Sequence, residues 1–143
     1  MSASLLARVL LTAIAAGQGI APLFIDLNGT HATNPLWPGH ARFHVVSQTL
    51  GQTLAAAVEV ALVWWPGPAL HQRFYLAAIL TGIPMAGFLA ALFTRSLYRG
   101  TLRDPNGMPL ARIRTRTGIF EFDMNVVIIA LASVLLIAAV LVY

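Results

Sequence analysis

The chain has 143 residues, a length for one domain, and is 58% hydrophobic with only 10% charged residues, which excludes an ordinary water-soluble domain. All nine basic residues are arginine and the formal net charge is +4; so few guanidinium groups form no basic coat, and no nucleic-acid partner is expected. With no cysteine, disulfides, thiolate zinc sites and cysteine-held iron–sulfur clusters are excluded. Any metal would have to rest on His, carboxylate or carbonyl groups.

The first element has an arginine (Arg8), an apolar stretch and small residues, as a secretory signal does. The apolar run continues through Ile20, Leu23, Phe24 and Ile25, however, and is long enough to span a bilayer. Hydrocarbon about 30 Å thick takes about 20 helical residues, because only a helix or a closed barrel satisfies its own backbone there. Four segments meet that length: 5–27, 41–65, 74–98 and 124–143. They predict an all-α, four-helix transmembrane bundle over residues 1–143. Turn chemistry separates them: Asn28-Gly29 and Asn34-Pro35, then Pro66-Gly67-Pro68, then Asp104-Pro105-Asn106-Gly107.

Arginine placement sets the expected orientation, since positive connections stay cytoplasmic. Arg95, Arg99, Arg103, Arg112, Arg114 and Arg116 surround the third connection and Arg42 adds to the first, whereas the opposite face has Arg8 and Arg73. Both termini are therefore expected outside. The Arg112-Ile113-Arg114-Thr115-Arg116 alternation reads as a short extended segment attracted to anionic lipid, and His71 as a solvated loop residue.

This topology draws chemically capable side chains to one face: Asp26 at the end of the first span, His31, His40 and His44 around the first connection, Glu121 and Asp123 before the fourth span. The stretch from Asn34 to His44 carries two prolines and a glycine, which shape a loop just before a helix. His40 and His44 are four apart and project from one side if helical, a spacing that suits two imidazoles on one metal, or one ligand beside one proton carrier. Further into the membrane, steps of four from His44 reach Gln48 and Gln52 and drift towards Glu59, while Gln18, Pro22 and Asp26 recur on the first span. Such groups are costly in lipid unless they line a shared cavity or a packed seam. Glu59, about 9 Å from the outer helix end at ~1.5 Å per residue, must pair or stay neutral.

Trp37, then Ala41-Arg42-Phe43-His44, then Gly51 on an apolar helix resemble the tryptophan, alanine–arginine–x–histidine and glycine of styrene oxide isomerases. Those are small four-helix membrane enzymes that use haem as a Lewis acid to rearrange an epoxide to a carbonyl. The resemblance covers about fifteen residues. It implies His44 as axial ligand of haem b, with Trp37 and Arg42 in the cofactor site and the haem between subunits of a homo-oligomer. Leu50 stands where the family has an asparagine, and Leu89 follows Gly87-Phe88 where it has a tyrosine.

These features together predict a membrane enzyme, an isomerase, acting on a lipophilic small molecule. His44 would hold haem or a His/carboxylate-bound metal, if a cofactor is used at all; His40, His31, Asp26, Glu121 and Asp123 would be the catalytic groups, and Gln18, Gln48, Gln52 and Glu59 would line the cavity. A small proton-coupled transporter or metal carrier working through Glu59, and an accessory subunit of a membrane complex, are the alternatives.

Overall fold

A computed structural model describes residues 2–104, 106 and 108–143. Four helices carry the chain: α1 (Ala3–Ile25), α2 (Gly39–Trp64), α3 (Leu70–Thr94) and α4 (Met124–Val142). Each is long and apolar enough to cross a membrane, and the chain is an integral, multi-pass membrane protein built as a four-helix bundle. α1 packs on α2 and α4, and α3 packs on the same two helices and touches α1. With four antiparallel crossings, both termini and the second connection share one end, the terminal face. The first and third connections share the other, the loop face.

Local chemistry ends each helix. Ser2 caps α1 by accepting from the Leu5 amide at 3.2 Å. At the far end, Asn28 Nδ2 donates to the carbonyls of Phe24 (2.6 Å) and Ile25 (3.0 Å), so side chains fill acceptors that a helix end leaves open. α2 starts after Pro38 and stops before Pro66, and its last carbonyls take hydrogen bonds from arginines of other elements. Arg8 Nη2 donates to Val63 O at 2.9 Å and Arg73 Nη1 to Trp65 O at 2.6 Å. Cations belong at a helix C-terminus, and Arg8 also lies 4.2 Å over the Trp64 ring.

The third span is as long as the hydropathy pattern predicts but begins and ends four residues earlier, at Leu70 and Thr94. It closes at Thr94 and continues as a 3₁₀ turn over Arg95–Tyr98, which Arg99 ends with φ 57°. The arginine alternation is a true strand pair: β1 (Ala111–Thr115) and β2 (Gly118–Phe122) form an antiparallel hairpin in which Arg112 faces Glu121 and Ile113 faces Phe120. Asp123 then caps α4, accepting from Val126 N at 3.1 Å.

The packed core lies towards the terminal face, where Leu11, Val63, Phe74 and Ala77 are fully buried. The rings of Phe74 and Tyr143 stack at 3.7 Å, locking the start of α3 to the end of α4. His71 is exposed, yet it belongs to this aromatic group through its stack on Tyr143 at 5.7 Å.

α1 and α2 approach closely at Gly19. A Cβ there would lie 2.5 Å from the Ala56 Cβ, and Thr53 Oγ1 reaches the Gly19 carbonyl at 2.7 Å. Small residues allow such approach where lipid gives helices no hydrophobic drive to associate. Gly19→Ala should therefore destabilise the bundle by roughly 1–3 kcal/mol, and adding Ala56→Gly should restore most of it. Reversible unfolding of the two variants in mixed micelles checks this; equal stability of Gly19→Ala and the parent would refute the close contact.

Candidate functional site

Polar side chains inside the membrane converge on one cavity of about 330 Å³, lined by Gln18 of α1, Gln48, Gly51, Gln52 and Glu59 of α2, and Leu80, Ile83 and Pro84 of α3. The polar stripe on α2 thus forms one wall, α3 supplies an apolar one, and α1 contributes Gln18. Glu59 is 3% exposed and its Oε2 lies 2.7 Å from Thr81 Oγ1, which in turn donates to the Ala77 carbonyl at 2.9 Å. Thr81 has one hydroxyl proton for these two neighbours. It is shared between the Glu59 carboxyl oxygen and the Ala77 carbonyl.

Two further features mark the cavity lining. Gln18 has a buried amide nitrogen with no hydrogen-bond partner among the described residues. Pro84 has no N–H for the carbonyl one turn earlier, that of Leu80, and both residues line the cavity. A buried amide without a partner costs about 1–3 kcal/mol.

The loop face holds a second, differently built group. Asp26 caps α1; its Oδ2 accepts from Thr49 at 3.4 Å, and its Oδ1 lies 3.8 Å from His31 Nδ1. That nitrogen also contacts Thr30 Oγ1 at 2.8 Å, and the His31 ring meets Trp37 edge to face at 5.1 Å. Asn34, 2% exposed, pins the loop by donating to the carbonyls of Thr30 (3.2 Å) and Asn106 (3.0 Å). Trp37 Nε1 donates to Asp104 Oδ2 at 2.8 Å. The first and third connections are thereby fastened to each other.

His40 and His44 form a separate pair, with Nε2 atoms 3.0 Å apart and both rings exposed. Thr49, Thr53 and Ala56 mark the side of α2 that faces α1. At ~100° per residue, Thr49 sits roughly 140–180° around the helix from the two histidines. The pair therefore points away from Asp26 and His31. The other two acids are engaged locally: Glu121 pairs with Arg112 across the hairpin at 2.8 Å, and Asp123 is the α4 cap. What the sequence suggests as one cluster is, in space, a loop group, a histidine pair and two structural carboxylates.

Two nitrogens 3.0 Å apart have the spacing of neighbouring ligands on a metal with bonds of about 2.0–2.1 Å. Among the described residues, no three His, Asp or Glu side chains come together as a metal-holding group. His44 could offer an axial imidazole to haem, but it does not line the cavity between α1, α2 and α3 and its ring is exposed. Arg42 is half-buried and Trp37 is committed to Asp104. One protomer supplies a ligand without the enclosing walls, so these residues do not by themselves fit a haem.

Asp104, Asn34, Thr49 and Thr53 carry contacts beyond those expected from the sequence. The four-residue spacing of Thr49 and Thr53 is a signal for the α1-facing side of α2, whereas nothing local links Trp37 to an aspartate 67 positions away. If that hydrogen bond couples the two connections, Trp37→Phe and Asp104→Ala should each cost about 1 kcal/mol and the double variant little more than either alone. A double-mutant cycle on unfolding reads this, and strictly additive losses would contradict it. In comparisons with known protein families, with curated proteins and with solved structures, the chain matches none.

Proposed function

We propose that this protein is a membrane-embedded isomerase that takes a neutral, lipophilic small molecule with one oxygen function into the cavity between α1, α2 and α3 and shifts a proton on it through Glu59. The observation that carries this reading is a buried carboxyl, and a carboxamide whose nitrogen has no partner among the described residues, on residues lining one cavity of about 330 Å³. Pockets for small molecules occupy roughly 300–1,000 Å³ and combine apolar walls with a few placed polar groups.

The chemistry follows from having one titratable group there. A carboxyl that gives a proton to one carbon and takes one from a nearby carbon moves a double bond with no change in oxidation state. It consumes neither water nor a second substrate, and solvent only exchanges the carboxyl proton between turnovers. Gln18 would hold the substrate oxygen, and Thr81 would hold the Glu59 carboxyl in place and share its proton during the cycle. The chain is taken to sit with the arginine-rich loop face in the cytoplasm.

The histidine pair supports a second reading, in which His44 binds haem against a second copy of the chain that closes its exposed side. That reading follows from the resemblance to styrene oxide isomerases and from the exposed, paired imidazoles. No step of the proposed proton shift runs through it. A Soret band in purified protein that His44→Ala removes would establish the cofactor separately.

The proton shift is tested by incubating proteoliposomes in D₂O with β,γ-unsaturated cyclic ketones. The expected product is the α,β-unsaturated isomer carrying one solvent deuterium, formed ~10²-fold or more slowly by Glu59→Gln and at the parental rate by His44→Ala. Ketone that is concentrated in the vesicles on a proton gradient and left unchanged would make the protein a carrier instead. Absence of both binding and conversion would point to an accessory subunit.

A further inference from the structure

The β1–β2 hairpin is a lone two-stranded ribbon, and among the described residues it makes no substantial packing contact with any helix. Such ribbons are marginal in water without a surface to cover an apolar face. Its register sorts the side chains into two faces, because alternate residues point to opposite sides. Ile113 and Phe120 are directly paired on one face, together with Ala111 and Phe122, and the Phe120 and Phe122 rings lie 5.9 Å apart. Arg112, Glu121, Arg114 and Ile119 share the other. Ile113 is 52% exposed and Phe120 is 62% exposed, so no described part of the chain covers this central pair, while Ala111 and Phe122 at the α4 end are half-buried.

The hairpin's place in the fold identifies its cover. Only Asp123 separates Phe122 from Met124, the first residue of the membrane-crossing α4, so the ribbon emerges where that helix meets the headgroup layer. We propose that the hairpin lies flat in this layer as an anchor for anionic lipid. Ile113, Phe120 and Phe122 dip towards the acyl chains. Arg112 and Arg114, with Arg116 at the turn, meet lipid phosphates, and the Arg112–Glu121 ion pair spans the strands and holds the arginine face in register. A basic segment beside a span gains attraction from an anionic surface, and amphipathic structure gains from burying its apolar side there. The partner is thus the bilayer's own phosphate headgroups, with preference for those bearing net negative charge.

The absence of native cysteine allows a direct test in the full-length protein. Spin labels at Ile113→Cys and, separately, Arg114→Cys are read for access to oxygen, which partitions into lipid, and to a water-soluble nickel chelate. In phosphatidylcholine vesicles containing phosphatidylglycerol, label 113 should be several-fold richer in oxygen access relative to nickel than label 114. That contrast should weaken in phosphatidylcholine alone. Replacing Arg112, Arg114 and Arg116 by Gln should abolish the dependence on phosphatidylglycerol. Equal, water-like access at both positions would overturn the proposal, as would label 113 shielded from both reagents, which would mean that protein covers this face.

Discussion

Everything in this molecule answers to one constraint: hydrocarbon offers no hydrogen bonds, so each polar group within it must find its partner in the protein. The hydroxyls manage this within their own helix, as Thr53 does on the Thr49 carbonyl, Thr81 on Ala77 and Ser133 on Ile129. Carboxyl and carboxamide groups have more valences than one turn of helix can serve. Glu59 is met by Thr81 across the α2–α3 contact, and Gln18 has a nitrogen left over. These incompletely served groups border the same cavity.

The two ends of the bundle hold that cavity between different kinds of structure. At the terminal face, arginines on the last carbonyls of α2 and the stack of Phe74 on Tyr143 give a compact, aromatic end. At the loop face the first connection is held by its own side chains, Asn28 and Asn34, and fastened to the third by Trp37 and Asp104. The helices between are joined by close backbone approach at Gly19. Most of α4, by contrast, has few buried positions, Ala139 being its buried residue, and it serves as lipid-facing wall.

How much of this is legible in the sequence depends on the range of the interaction involved. Hydropathy over about 20 residues is a local property, so the four spans are readable to within a few residues, and the helical spacing of Gln48, Gln52 and Glu59 is enough to place them on one side of α2. The grouping of Asp26, the histidines, Glu121 and Asp123 is coarser, because sharing a membrane face says nothing about angle around a helix. Asp123 immediately before an apolar run is a cap signal, and Arg112, Arg114 and Glu121 alternating with apolar residues is a strand signal; both local demands claim acids that topology alone would assign to a site. The Trp37–Asp104 bond is beyond reach of any local pattern, since its two ends lie 67 positions apart on different connections.

The central claim is that the polar-lined cavity between α1, α2 and α3 is where a lipophilic guest resides, and its location can be measured directly. A cyclic ketone carrying a diazirine is photolysed with the protein in bilayers and the adducts are mapped by mass spectrometry. The account predicts adducts concentrated on residues such as Gln52, Leu80 and Ile83, displaced by excess unlabelled ketone. Adducts spread evenly over lipid-facing residues such as Phe24, Phe93 and Leu141 and undisturbed by competitor would contradict it.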